Sequence, residues 1–179
     1  VQGTGAVSQT RILAQAFDAY DNVVPNAPIT FDIAGGPGGG ETLLPNPGPA
    51  VAYTNPVGVA SMTVRDGTVS GSVLISATSE SGVTETTPVA IAAGPPAFLH
   101  VGVEACNRLA CGRVNVDNPV VVVASDQYHN PVRDGTVIYF TTDKGTIRGE
   151  RTGNLGSDPT VDGVAEAIWL SGDSCEEVT

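Results

Sequence analysis

Positive charge is scarce in this sequence: eight Lys and Arg stand against 19 Asp and Glu, a formal net charge of −11. No Lys/Arg cluster exists to neutralise phosphates, which excludes nucleic acid as a partner and disfavours anionic membrane surfaces. Aromatic residues make up 5%, with one Met and one Trp, and no stretch carries apolar residues at a sustained helical spacing. No apolar run approaches the roughly 20 residues that cross a bilayer, so no membrane insertion is expected in this segment. A charged and apolar leader is missing too; the export signal is expected outside this sequence. Cysteine is limited to Cys106, Cys111 and Cys175, without the paired spacing of a zinc site. A disulfide in an oxidising compartment is expected instead. Cys106 with Cys111 would close the loop of Asn107 to Ala110, and a pairing of one of them with Cys175 is the alternative.

What is present is 22 Gly and 13 Pro among abundant Thr, Ser and Val. Gly, Pro and β-branched residues disfavour helices and suit short strands joined by turns. The composition predicts an all-β protein.

Self-comparison reveals a repeat. Ala16, Asp18, Tyr20, Asn22 and Val24 recur as Ala124, Asp126, Tyr128, Asn130 and Val132, and Phe31 recurs as Phe140 after a one-residue insertion. Gly58-Val59-Ala60 returns as Gly163-Val164-Ala165. The period of about 105 residues is that of a seven-stranded sandwich domain. The join is expected at Gly94-Pro95-Pro96, giving one repeat over 1–94 and a second over 95–179. Period-two alternation predicts inward sets at Ile12, Ala14 and Ala16, at Ile29, Phe31 and Ile33, and at Ala60, Met62 and Val64, followed by Val73, Ile75, Ala77, Val89 and Ile91. In the second copy they fall at Leu99, Val101 and Val103, at Val120, Val122 and Ala124, at Ile138 and Phe140, and at Ala165, Ala167 and Trp169. Asp66-Gly67, Asp134-Gly135, Lys144-Gly145 and Asp162-Gly163 supply turns. Gly35 to Pro49, with no alternation, reads as a long solvated loop, and so does its counterpart from Gly145 to Pro159.

An apolar strand, Asp-x-Tyr-x-Asn-Pro-Val, a strand ending in Phe and a later Gly-x-Ala together resemble the bacterial Ig-like domains of the invasin and intimin group. Asp126, Tyr128, Asn130, Pro131 and Val132 carry the resemblance in copy two. Asp18, Tyr20, Asn22 and Val24 carry it in copy one, where Val23 replaces the proline. The resemblance implies two tandem immunoglobulin-like antiparallel β-sandwiches serving as extracellular spacers in adhesins or surface fibres. The residues themselves explain the motif locally: Asp accepts turn N–H groups, Asn tolerates a left-handed backbone, and Tyr covers the sandwich edge.

No catalytic site is expected, and the chain reads as a non-enzyme. His100 alternates outward and His129 sits in a turn, with no nucleophile motif beside either. Glu41, Glu104, Glu150 and Glu166 are scattered, with nothing to pair them as glycosidases require. Calcium is the most credible ligand, through Asp18, Asp21 and Asn22 or through Asp126, Asn130 and Asp134, because turn oxygens suit this hard cation. Turn capping accounts for Asp18 and Asp126 without a metal, so no cofactor is assigned. Trp169 aligns with inward Val64 and is expected in the core, leaving Tyr53 as a lone exposed aromatic.

Seventeen residues precede Asp18, with no equivalent of the strand Ala97 to Glu104, and copy two has few residues after Trp169. Both sandwiches are therefore expected to be incomplete at the chain ends, either as a window from a longer array or with strands supplied by neighbours. The expected function is a structural spacer of a bacterial surface adhesin or fibre, extracellular or on the cell surface, whose partners are neighbouring repeats or identical subunits. The alternative is a binding module that recognises glycan or a host protein through its end loops.

Overall fold

The computed structural model describes residues 1–45, 48–103, 114–154 and 156–172. Its regular elements are all β-strands, every ladder is antiparallel, and no helix occurs among the described residues. The chain divides into two compact units, Val1–Ala92 and Ala93–Thr179.

Unit 1 contains β1 (Gln9–Gln15), β2 (Pro28–Gly35), β3 (Thr42–Leu44), β4 (Ala50–Tyr53), β5 (Val59–Arg65), β6 (Gly71–Ser79) and β7 (Thr84–Ile91). They form two sheets, β1-β5-β3 and β4-β2-β6-β7. Alternate residues of each strand point inward, so one apolar face per sheet is removed from water. Phe31, Leu43, Val64, Val73 and Ile75 are fully buried between the sheets.

Unit 2 contains β8 (Phe98–Val103), β9 (Asp117–Ser125), β10 (Val137–Tyr139), β11 (Thr146–Gly149), β12 (Ser157–Pro159) and β13 (Val164–Leu170). Its sheets are β11-β13-β9-β8 and β10-β12. Val122, Ala124, Val132, Ile138 and Ala165 form its core, with Phe140 packed against them. The sequence repeat is also a repeat of register. Gln15↔Val59 in unit 1 becomes Val123↔Val164 in unit 2. Pro28↔Tyr53 becomes Val137↔Pro159, and Leu43↔Val64 becomes Ile147↔Trp169. Among the described residues, β8 has no counterpart in unit 1, and β6 and β7 have none in unit 2.

Three expectations are corrected. Gly35 to Pro49 is not simply a solvated loop: it contains β3, which pairs with β5 and buries Leu43 completely. Three residues are too few to display alternation, and one glycine beside them serves close packing: a Cβ on Gly39 would overlap the backbone of Thr68 and Val69. Gly145 to Pro159 likewise holds β11 and β12. Second, β8 is not an interior strand. Leu99 and Val101 lie opposite Ala124 and Val122, on the core side of the sheet, yet Leu99, Val101 and Val103 are 56%, 68% and 61% exposed. Among the described residues, the strands that cover the equivalent face in unit 1 have no counterpart opposite them. Third, Trp169 is half-buried rather than enclosed, with its indole Nε1–H donating to the Lys144 carbonyl at 2.8 Å. A side chain this large keeps its polar edge at a partner near the surface.

Candidate functional site

The repeated Asp-x-Tyr-x-Asn segment is a polar cluster that both units share. It follows β1 in unit 1 and β9 in unit 2. In unit 1, Asp18 Oδ1 accepts the Tyr20 N–H at 2.8 Å and the Asn22 N–H at 2.9 Å. Asn22 Nδ2 donates to both carboxylate oxygens, at 3.3 and 3.1 Å. Backbone bonds from Asp18 N to Asn22 O and from Asp21 N to Asp18 O close the turn. Asp21 takes the left-handed conformation at φ 61°, which Asp and Asn tolerate better than most residues.

Unit 2 reproduces this bond for bond. Asp126 Oδ1 accepts Tyr128 N–H at 2.8 Å and Asn130 N–H at 3.0 Å, and Asn130 Nδ2 reaches both oxygens at 3.1 and 2.9 Å. His129 occupies the Asp21 position at φ 64°, with its ring stacked on Phe98, centroids 4.8 Å apart. One bond is added: Asp126 Oδ2 accepts the Gly94 N–H at 2.9 Å. Asp126 is also wholly buried, whereas Asp18 is exposed.

These bonds set the acidity of both groups. The Asn22 backbone N–H, then the Asn22 side chain and the Tyr20 N–H, hold the Asp18 carboxyl below its ordinary value. Burial pushes Asp126 upward, but the Asn130 side chain and the N–H groups of Gly94, Tyr128 and Asn130 outweigh it and leave the carboxyl lowered. Each bond favours the charged form.

A second repeated device was not visible in the sequence. Thr54 and Thr160 are buried and occupy matching places. Thr54 Oγ1 donates to Val24 O at 2.6 Å and accepts the Ala27 N–H at 2.8 Å; Thr160 Oγ1 donates to Arg133 O at 3.0 Å. Both hydroxyls pin the chain between the polar turn and the next strand. Only the offset of Thr54 from Thr160 could have signalled this, and at 106 residues it differs from the 108 of the turn, because the segment between the matched strands is shorter in the second copy.

Glycine completes the notch. Gly58 and Gly163 have φ of 74° and 77°. A Cβ there would lie 3.0 Å from the Ala16 carbonyl oxygen and 2.9 Å from that of Ala124, respectively.

The remaining candidates fall as follows. The turn brings Asp18 together with Asn22, and Asp126 together with Asn130, and Asp21 adds no ligand bond to the cluster. Asp134 is turned to the Asp162 N–H at 2.8 Å. Calcium requires six to eight oxygens, whereas the oxygens of Asp18 and Asp126 already face N–H donors that would have to be displaced. The donor set therefore does not fit calcium. Among the described residues no group of three or more His, Cys, Asp or Glu could hold a metal ion. Tyr20, expected to cover the sandwich edge, is 86% exposed, while Tyr128 is 40% exposed. Pro131 forms an isolated bridge to Ser125, as Val23 does to Phe17. His100 is exposed on β8. Glu166 pairs with Arg151, which also binds buried Asp158 at 2.8 Å. Glu104, Cys106, Cys111 and Cys175, with the expected disulfide, lie outside the described residues.

No protein-family model matches the chain, and no curated protein matches it either. Solved structures do. The chain is similar to the structure of FdeC, an Escherichia coli adhesin, at 17% identity and a TM-score of 0.55, over 93% of this chain and 52% of that one. It spans about half the length of that adhesin structure. Invasin, a bacterial integrin-binding protein, is similar at 14% identity and a TM-score of 0.38, over 94% of this chain and 34% of that one. The surface layer protein SbsC, domains 4–9, follows at 18% identity and a TM-score of 0.35, over 93% and 25%. The chain shares the all-β, Ig-like sandwich fold of the FdeC structure.

Proposed function

We propose that the chain is a non-catalytic extracellular spacer of a bacterial surface adhesin or fibre, built from Ig-like repeats over 1–94 and 95–179 and assembled by strand exchange between neighbouring subunits. One observation carries this reading: the polar side chains of the repeated turn are spent on their own backbone. Asp18, Asn22, Asp126 and Asn130 bond to one another and to N–H groups, which leaves a rigid turn rather than a reactive or ligating one. The fold shared with FdeC, an adhesin, supports a cell-surface setting, and a net charge of −11 suits exposure to the medium.

The test is a glycan array and a cell-binding assay on the isolated chain, with antibody labelling of intact producing cells. A spacer labels at the surface and binds neither glycans nor host cells. Saturable binding to either would overturn the spacer reading in favour of an end-loop binding module. Absence of surface labelling would overturn the location.

A further inference from the structure

Unit 1 carries an open groove of about 890 Å³ between β1 and the β6–β7 hairpin. β1 is the edge strand of its sheet and pairs with β5 alone among the described strands. The groove floor is apolar, with Ile12, Ala14 and Ala16 of β1 facing Ile75 and Ala77 of β6. An uncovered strand edge beside apolar side chains is a template for pairing with a further strand.

Unit 2 shows what occupies the equivalent place. There β9, the counterpart of β1, carries β8 on this edge, with Leu99↔Ala124, Val101↔Val122 and Val103↔Val120. Transferred through the repeat, Leu99, Val101 and Val103 fall opposite Ala16, Ala14 and Ile12. Large side chains on the incoming strand thus meet the two small alanines on β1. In unit 2 these same three side chains are more than half exposed, because nothing among the described residues corresponds to the β6–β7 wall of unit 1. Moving β8 from β9 to β1 would trade one antiparallel ladder for another in the same register, and would bury three apolar side chains that are otherwise wet.

We propose that the β1 groove of unit 1 receives β8 of a second copy of this chain, antiparallel to β1 and in the register β8 adopts on β9. The inference rests on the strand-exchange element of the proposed function and names its donor and acceptor. Reach favours a second copy over the same chain. β7 ends at Ile91, near the Gln9 end of β1, whereas Phe98 must lie beside Phe17 at the other end. The segment from Ile91 to Phe98 spans at most about 25 Å fully extended, and the run from Gln9 to Phe17 already occupies about 26 Å of strand. Donor and acceptor are different surfaces, so the contact is head-to-tail and propagates into open chains.

The experiment is sedimentation velocity of the 179-residue chain over a hundredfold concentration range, with hydrogen exchange across β1. The expected result is a ladder of oligomers growing with concentration, with amides of Leu13 and Gln15 exchanging at least tenfold more slowly in the oligomer. Val101→Asp changes an exposed side chain, so it should fold with an unaltered circular dichroism spectrum and stay monomeric. Its groove is intact; added in excess, it should accept a wild-type β8, cap the chains and shorten them. A wild-type chain that is monomeric throughout overturns the inference, as do oligomers that persist in Val101→Asp. A monomeric wild-type chain would also remove the strand-exchange element of the proposed function, whereas oligomers that persist in Val101→Asp would remove only this donor and register. The surface-displayed, non-binding spacer is tested apart from both by the labelling and binding assays.

Discussion

Asp126 and Gly94 are joined across 32 residues by a 2.9 Å hydrogen bond from the Gly94 N–H to the buried Oδ2 carboxylate oxygen. Asp18 repeats every other bond of the turn but has no such remote donor, and it sits in solvent. The same motif therefore carries unequal weight in its two settings. Asp126→Ala removes the acceptor shared by the N–H groups of Gly94, Tyr128 and Asn130, and a buried donor left unsatisfied costs about 1–3 kcal/mol. Expected is a loss of about 3 kcal/mol from the unfolding transition of unit 2 in urea titrations followed by a probe in each unit. Asp18→Ala should cost unit 1 less, because water replaces the lost acceptor. Equal losses would contradict the burial difference.

Acid should expose the same groups. Both carboxyls have folded-state values below the ordinary one. A depressed carboxyl contributes stability that is present above the unfolded value of about 3.9 and is lost as pH falls through the folded value. Stability should be flat above about pH 5 and decline below about pH 4. Asp126→Asn, which cannot titrate, should lower the plateau and flatten the decline for unit 2. An acid limb unchanged in this variant would remove Asp126 from the explanation.

The glycine notches give a symmetric prediction. Ala at 58 or 163 must adopt a left-handed backbone and place Cβ against a carbonyl oxygen at 3.0 or 2.9 Å. Backbone strain of this kind costs of order 1–3 kcal/mol. Gly58→Ala should lower the denaturation midpoint of unit 1, and Gly163→Ala that of unit 2, each sparing the other unit. Gly153, at φ 66° with nothing near its Cβ, is the control: its Ala variant carries the strain without the clash and should lose less.

The threonine clamps are tested by removing a hydroxyl without changing shape. Thr54→Val leaves the Val24 carbonyl and the Ala27 N–H unpaired in a buried place. About 2 kcal/mol should disappear from unit 1, read from its urea midpoint. Thr54→Ser keeps the hydroxyl and should recover much of it. A neutral Thr54→Val would show that water satisfies both groups.

Much of the architecture was legible in the chain itself. Alternation placed Ile29, Phe31, Met62, Val64, Val73 and Ile75 inward, and each is buried or nearly so, because a strand turns alternate side chains to opposite faces wherever it lies. The spacing of Asp18 from Asn22 and of Asp126 from Asn130 prescribed the turn, since its bonds close within five residues. Local geometry of this sort needs no partner element. What pattern alone could not supply was decided across the sheets. Leu99, Val101 and Val103 alternate as well as any core strand, yet they stay wet, because burial depends on what stands opposite and not on alternation. Leu43 lies in a glycine-rich stretch without periodicity and is fully buried, because β3 finds an edge of β5 to pair with. Asp126 differs from Asp18 for the same reason: their local sequences are near twins, and only tertiary packing withdraws one of them from water.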